Sequence, residues 1–132
     1  MPTIQVKVEQ ISPATSKGTI RQHEVLIDRS EAKGGEDRGA MGGELLLASL
    51  GGCFMSTLLA AVKARDAAIA NVSIALDGTL EGSPPRFTAI GMKIAGDYED
   101  KAQMEKLVTI AERSCIVANT LKDAVELSFE VV

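Results

Sequence analysis

Aromatic residues are nearly missing from this chain: three Phe, one Tyr and no Trp among 132 residues. Its core must therefore come from aliphatic side chains, Ala and Met, and the base-stacking platforms of single-strand nucleic-acid binders are excluded. Positive charge is also short, with 14 Lys and Arg against 18 Asp and Glu, a net charge of −4 and a sequence pI near 5.0. No Lys/Arg cluster supplies the electrostatic footprint for nucleic acid or an anionic bilayer, so small molecules or protein partners remain. One histidine and two cysteines without a CxxC pair do not assemble the ligand set of a metal site. No metal and no bound organic cofactor is expected. The start, MPTIQVKVEQ, has no apolar stretch behind a basic beginning, so no cleavable signal is expected and the default location is cytoplasmic. Reducing thiol buffers there argue against a permanent disulfide between Cys53 and Cys115, while a cycling pair is allowed.

What is present reads as one α+β domain spanning residues 1–132, without repeats, low-complexity segments or linkers. Ile4, Val6 and Val8 alternate with polar residues as in a half-buried strand. A turn at SPATSKG leads to a second strand over Thr19–Asp28, the two forming a hairpin. Arg29–Gly43 is a loop rich in glycine and charge, about 15 residues long, a length that tends to mark function or mobility. Val72, Ile74 and Leu76, then Ile90, Met92 and Ile94, alternate on either side of the turn GSPPR and predict a second hairpin. Met104, Leu107, Val108 and Ala111 give Lys101–Arg113 the spacing of an amphipathic helix. Val125, Leu127, Phe129 and Val131 mark a last strand, and the lone His23 falls on a solvent-facing or edge strand position with a structural role.

Between the two hairpins stands ELLLASLGGCFMSTLLAAV, Glu44–Val62, with no formal charge from Leu45 to Val62. About 18 such residues is the lower edge of a membrane span. The paired Gly51 and Gly52, the hydroxyls of Ser49, Ser56 and Thr57, and the flanking strands argue instead for a soluble helix, continuing to about Ala67. Apolar on all faces, it calls for cover on every side. One sheet and one other helix leave a side bare, which a second copy of the chain would cover across a two-fold axis. A homodimer is expected, with the diglycine permitting close helix approach.

Cys53 within this run is either a small buried hydrophobe or a reactive thiol. The string GGEDRGAMGGELLLASLGGC, Gly34–Cys53, resembles the signature of the OsmC/Ohr family, and SCIVANTL, Ser114–Leu121, resembles that family's second cysteine segment. The resemblance implies an OsmC-like fold, two β-hairpin units and a C-terminal strand around a long buried central helix, in an intertwined homodimer with active sites at the interface. It implies a cysteine peroxidase that reduces organic or fatty-acyl hydroperoxides, with Cys53 peroxidatic, Cys115 resolving and an external dithiol as reductant. Because burial raises a thiol pKa and attack needs the thiolate, something electropositive must lie close to Cys53, and Arg38 is the nearest upstream cation. The family uses an arginine and a glutamate, which places Arg38 and Glu44 as candidates. The sequence departs from the pattern in three places: the glutamate comes one position late, with Gly43 in its place, a proline usual before it is missing, and Ile116 replaces the proline usual after the second cysteine. Nine residues of continuous helix is about 13.5 Å of rise, so Glu44 would meet only a partner subunit's Cys53. Its alternative role is a first-turn acid favoured by the helix dipole; that of Arg38 is an ordinary loop charge. Asn119 and Thr120 are expected to order the Cys115 turn. The rival function is a dimeric module of the same architecture that binds an apolar ligand in the interface cleft without redox turnover.

Overall fold

The computed structural model describes residues 1–132, which form two compact units, Met1–Leu46 and Leu47–Val132. The first holds an antiparallel sheet of β1 (Lys7–Gln10), β2 (Ser16–Ile20) and β3 (His23–Ile27), in that order. The single strand expected over Thr19–Asp28 is thus two strands, folded back at Arg21–Gln22 so that Ile20 pairs with His23. Arg21 takes φ 55° there, a left-handed conformation usually signalled by Gly or Asn, and neither residue announces it. β1 starts only at Lys7, and Ile4, Val6 and Val8 are all exposed, Ile4 at 86%. The half-burial implied by their alternation is therefore not met within one chain.

After β3 the glycine-rich segment makes a 3-10 turn over Glu31–Lys33 and returns, Asp28 donating its backbone N–H to Ala40. Helix α1 (Gly42–Ala64) follows without interruption through Gly51 and Gly52. Its burial is confined to the face carrying Leu50, Gly51, Phe54, Leu58 and Ala61, while Leu59 and Ala60 are exposed. The run is therefore not enclosed on every side, and one flank of it is bare in the single chain, as anticipated.

In the second unit, β4 (Ile69–Glu81) and β5 (Arg86–Tyr98) form a long antiparallel hairpin whose connection contains a cis Ser83–Pro84 peptide. β6 (Glu126–Val131) lies parallel to β5, Ile90 opposite Leu127 and Ile94 opposite Val131. Helix α2 (Lys101–Ser114) is capped by Asp100, whose side chain accepts from the Gln103 amide. Its Met104, Leu107, Val108 and Ala111 join Leu50, Phe54 and Leu58 of α1 and Ile90, Met92 and Ile94 of β5 in one core. Phe54 stacks at a tilt on Phe129, ring centroids 5.4 Å apart. A Cβ at Gly51 would stand 2.7 Å from Leu76 Cδ1, whereas one at Gly52 would meet nothing within 4 Å. Gly51 thus serves a close approach of helix to sheet in the same chain, while Gly52 faces open space.

The segment read as a turn holding Cys115 contains a further short helix, α3 (Ile116–Leu121). Cys115 ends α2 and begins α3 in extended conformation, φ −80° and ψ 113°.

Candidate functional site

Cys53 projects from the middle of α1 and Cys115 from the junction of α2 and α3, so two sulfurs 62 positions apart in sequence meet inside the second unit as free thiols. The two differ sharply in exposure. Cys53 is half-buried, and Cys115 is fully buried at 0%.

Burial pushes the Cys53 thiol up, but hydrogen bonding from the Val117 backbone, the Cys115 thiol and the Ile116 backbone outweighs it and holds the group below the usual thiol value. Burial likewise pushes Cys115 up; the Ala118 amide opposes this, while the bond to Cys53 and the charge developing there reinforce it, leaving Cys115 above the usual value. Every group that lowers Cys53 is an uncharged donor. Within the second unit the donors favouring the thiolate include peptide N–H groups at the start of α3, which have no partner within the helix. The Ala118 N–H is 3.4 Å from Cys115 Sγ. Chemically, the pair offers one partly accessible thiol biased toward thiolate and one buried thiol biased toward S–H.

The remaining site residues are engaged differently. Glu44 Oε1 accepts the Met41 backbone N–H at 2.8 Å, the carboxylate half of a capping box. Arg38, in the first unit, donates its backbone N–H to Asp28 Oδ2 at 3.2 Å, and no carboxylate pairs with its guanidinium. Asn119 Nδ2 donates to the Arg113 carbonyl at 3.0 Å and Thr120 Oγ1 to the Ile116 carbonyl at 2.8 Å, so both order the Cys115 junction as expected. His23 is exposed at the head of β3.

Sequence reasoning passed over Asp28. It is only 4% exposed, and its carboxylate gathers the Thr15 hydroxyl at 2.8 Å and the backbone N–H groups of Arg29, Glu36 and Arg38. Burial raises its pKa, but these donors prevail and hold it below the ordinary carboxylate range. Two glycines make room for the wrap: a Cβ at Gly35 would lie 2.0 Å from the Arg29 carbonyl oxygen, and one at Gly39 2.2 Å from that of Leu26. An acidic residue closing an apolar strand and opening onto glycines was the available signal.

A small α+β domain with a long helix over a β-sheet and a thiol pair at that helix defines a class of protein. The sequence profile of OsmC-like proteins matches residues 34–130, and the chain belongs to that family. No curated protein matches it in sequence. Among solved structures, a hypothetical protein from Aquifex aeolicus is 25% identical and superposes with a TM-score of 0.82, covering 100% of this chain and 98% of that one. A putative osmotic stress induced and detoxification response protein from Psychrobacter arcticus is 16% identical with a TM-score of 0.86, covering 100% and 98%. The organic hydroperoxide resistance protein OhrB of Bacillus subtilis is 18% identical with a TM-score of 0.71, covering 98% of each chain. The α+β, OsmC-like fold expected from the motifs is the fold of the chain.

Proposed function

We propose that this chain is a thiol-dependent reductase of organic or fatty-acyl hydroperoxides. The observation that carries the reading is the unequal thiol pair: Cys53 accessible and acidified, Cys115 buried and held protonated beside it. The name of the Bacillus subtilis neighbour, an organic hydroperoxide resistance protein, supports the same chemistry.

The Cys53 thiolate attacks the terminal peroxide oxygen. The O–O bond breaks, the alkoxide takes up a proton and leaves as alcohol, and Cys53 becomes a sulfenic acid. The Cys115 thiol then condenses with it, forming the S–S bond and releasing water. An external dithiol returns two electrons through a mixed disulfide and restores both thiols. Cys53→Ser should abolish peroxide consumption, and Cys115→Ser should leave a sulfenic acid that dimedone traps. Unchanged turnover in Cys53→Ser would overturn the reading. The rival, an apolar-ligand module without turnover, requires a Cys53 that thiol reagents attack no faster than an ordinary thiol.

Arg38 and Glu44 are proposed as a further activating pair, with a test that separates this from the cap. If Glu44 activates by holding Arg38 toward the thiol, Glu44→Ala raises the Cys53 pKa; if it only caps α1, Glu44→Ala lowers stability and leaves that pKa in place, while Glu44→Gln, which keeps an acceptor for the Met41 N–H, preserves the cap. Arg38→Met is read the same way. We also infer a homodimer, supported by the apolar side chains each unit leaves exposed, Ile4, Val6 and Val8 in the first and Leu59 on α1 in the second.

A further inference from the structure

We propose that the first unit holds a binding site for a small organic anion, an acidic head on a short apolar body, in the recess where the β1–β2 connection meets the glycine-rich segment, with Arg29 and Lys33 as the cationic partners of the head. The inference goes beyond the thiol chemistry and does not depend on it.

The recess measures about 710 Å³ and is lined by residues between Pro13 and Gly43, all within Met1–Leu46. That volume lies in the range of small-molecule pockets, about 300–1,000 Å³, and an inorganic anion would fill only a small part of it. Arg29 and Lys33 line it, and no carboxylate pairs with either; the ion pairs of the chain are Lys7–Glu9 and Lys17–Glu24. In a chain of net charge −4, with Glu31, Glu36 and Asp37 in the same segment, two cations at one recess remain free for a ligand. The backbone that carries them is fixed. The Arg29 N–H donates to Asp28 Oδ1 at 2.7 Å, and the Lys33 and Gly35 N–H groups both donate to the Ser30 carbonyl, at 3.0 and 2.9 Å. Loop order of this kind is settled before binding and lowers its cost. Asp28 also lines the recess, but its carboxylate is 4% exposed and already receives the Thr15 hydroxyl and the N–H groups of Arg29, Glu36 and Arg38. Those donors compensate the charge that it would otherwise set against an anion. Pro13, Ala14, Ile27 and Met41 supply apolar lining, which a bare oxyanion would leave unused.

Isothermal titration of the full chain with octanoate, octanol and inorganic phosphate separates head from body. Octanoate should bind, and the other two should each bind at least roughly tenfold more weakly, octanol for want of the charge and phosphate for want of the apolar body. Arg29→Gln combined with Lys33→Gln should cut octanoate affinity by roughly tenfold or more and leave octanol unchanged, while Arg29→Lys combined with Lys33→Arg, which keeps both charges, should retain octanoate binding. Both residues are exposed, so the variants should melt with the wild type. A measurement that needs no variant is the set of backbone amide shifts that octanoate induces in the wild-type protein, which should fall between Pro13 and Gly43. No octanoate binding, octanol or phosphate binding as tightly as octanoate, undiminished affinity in the Gln pair, or shifts confined to Leu47–Val132 would each overturn the site. Peroxide consumption is not among these readouts, so failure of the reductase reading leaves the site standing, and failure of the site leaves the reductase reading intact.

Discussion

At the scale of single residues, the two thiols should titrate apart. Labelling of Cys53 should reach half its limiting rate below the pH of an unperturbed thiol and that of Cys115 above it. Mass-mapped alkylation across a pH series checks the order, and a reversed order would exchange their roles. Asp28 sets a second pH dependence. Its folded pKa lies below the unfolded value near 3.8, so its stabilising effect is complete above that value and is lost as pH falls through the folded pKa. Asp28→Asn should lower the melting temperature at neutral pH, and its difference from wild type should shrink as the medium is acidified; a difference that grows in acid contradicts this. Cys53 and Cys115 were legible in the sequence because two separate motifs held them. The donors to Cys53 were not, since backbone N–H groups carry no residue signature, and Asp28 was hidden because a lone charge after a strand usually faces water.

Periodicity located most of the elements. β4, β5 and α2 fell where alternation or three-and-four spacing put them, because one face of each is committed to the core. The β2–β3 break escaped for want of Gly or Asn at Arg21–Gln22, and α3 escaped because six residues are too few to establish a helical period. The run in α1 read as apolar all round, yet only one face is buried; composition records what a helix is able to bury, not what a single chain supplies. The load on that buried face is testable. Phe54 of α1 is fully buried and packs on Phe129, and Phe54→Ala should cost about 3–5 kcal/mol in denaturant unfolding. A cost of about 1 kcal/mol or less would mean that the α1 packing described above is wrong.

For the molecule as a whole, the uncovered flank of α1 and the bare apolar side chains before and within β1 fit an assembly of two copies. Light scattering at micromolar concentration should give twice the 13.9 kDa of one chain, and a persistent monomer would refute the dimer while leaving the thiol chemistry of the single chain intact. That chemistry is tested most directly by treating the reduced protein with one equivalent of cumene hydroperoxide and mapping its cysteine peptides by mass. The account predicts a single cross-linked species joining Cys53 to Cys115, two hydrogens lighter than the reduced pair and reversed by a dithiol. Two free thiols and unconsumed peroxide would contradict it.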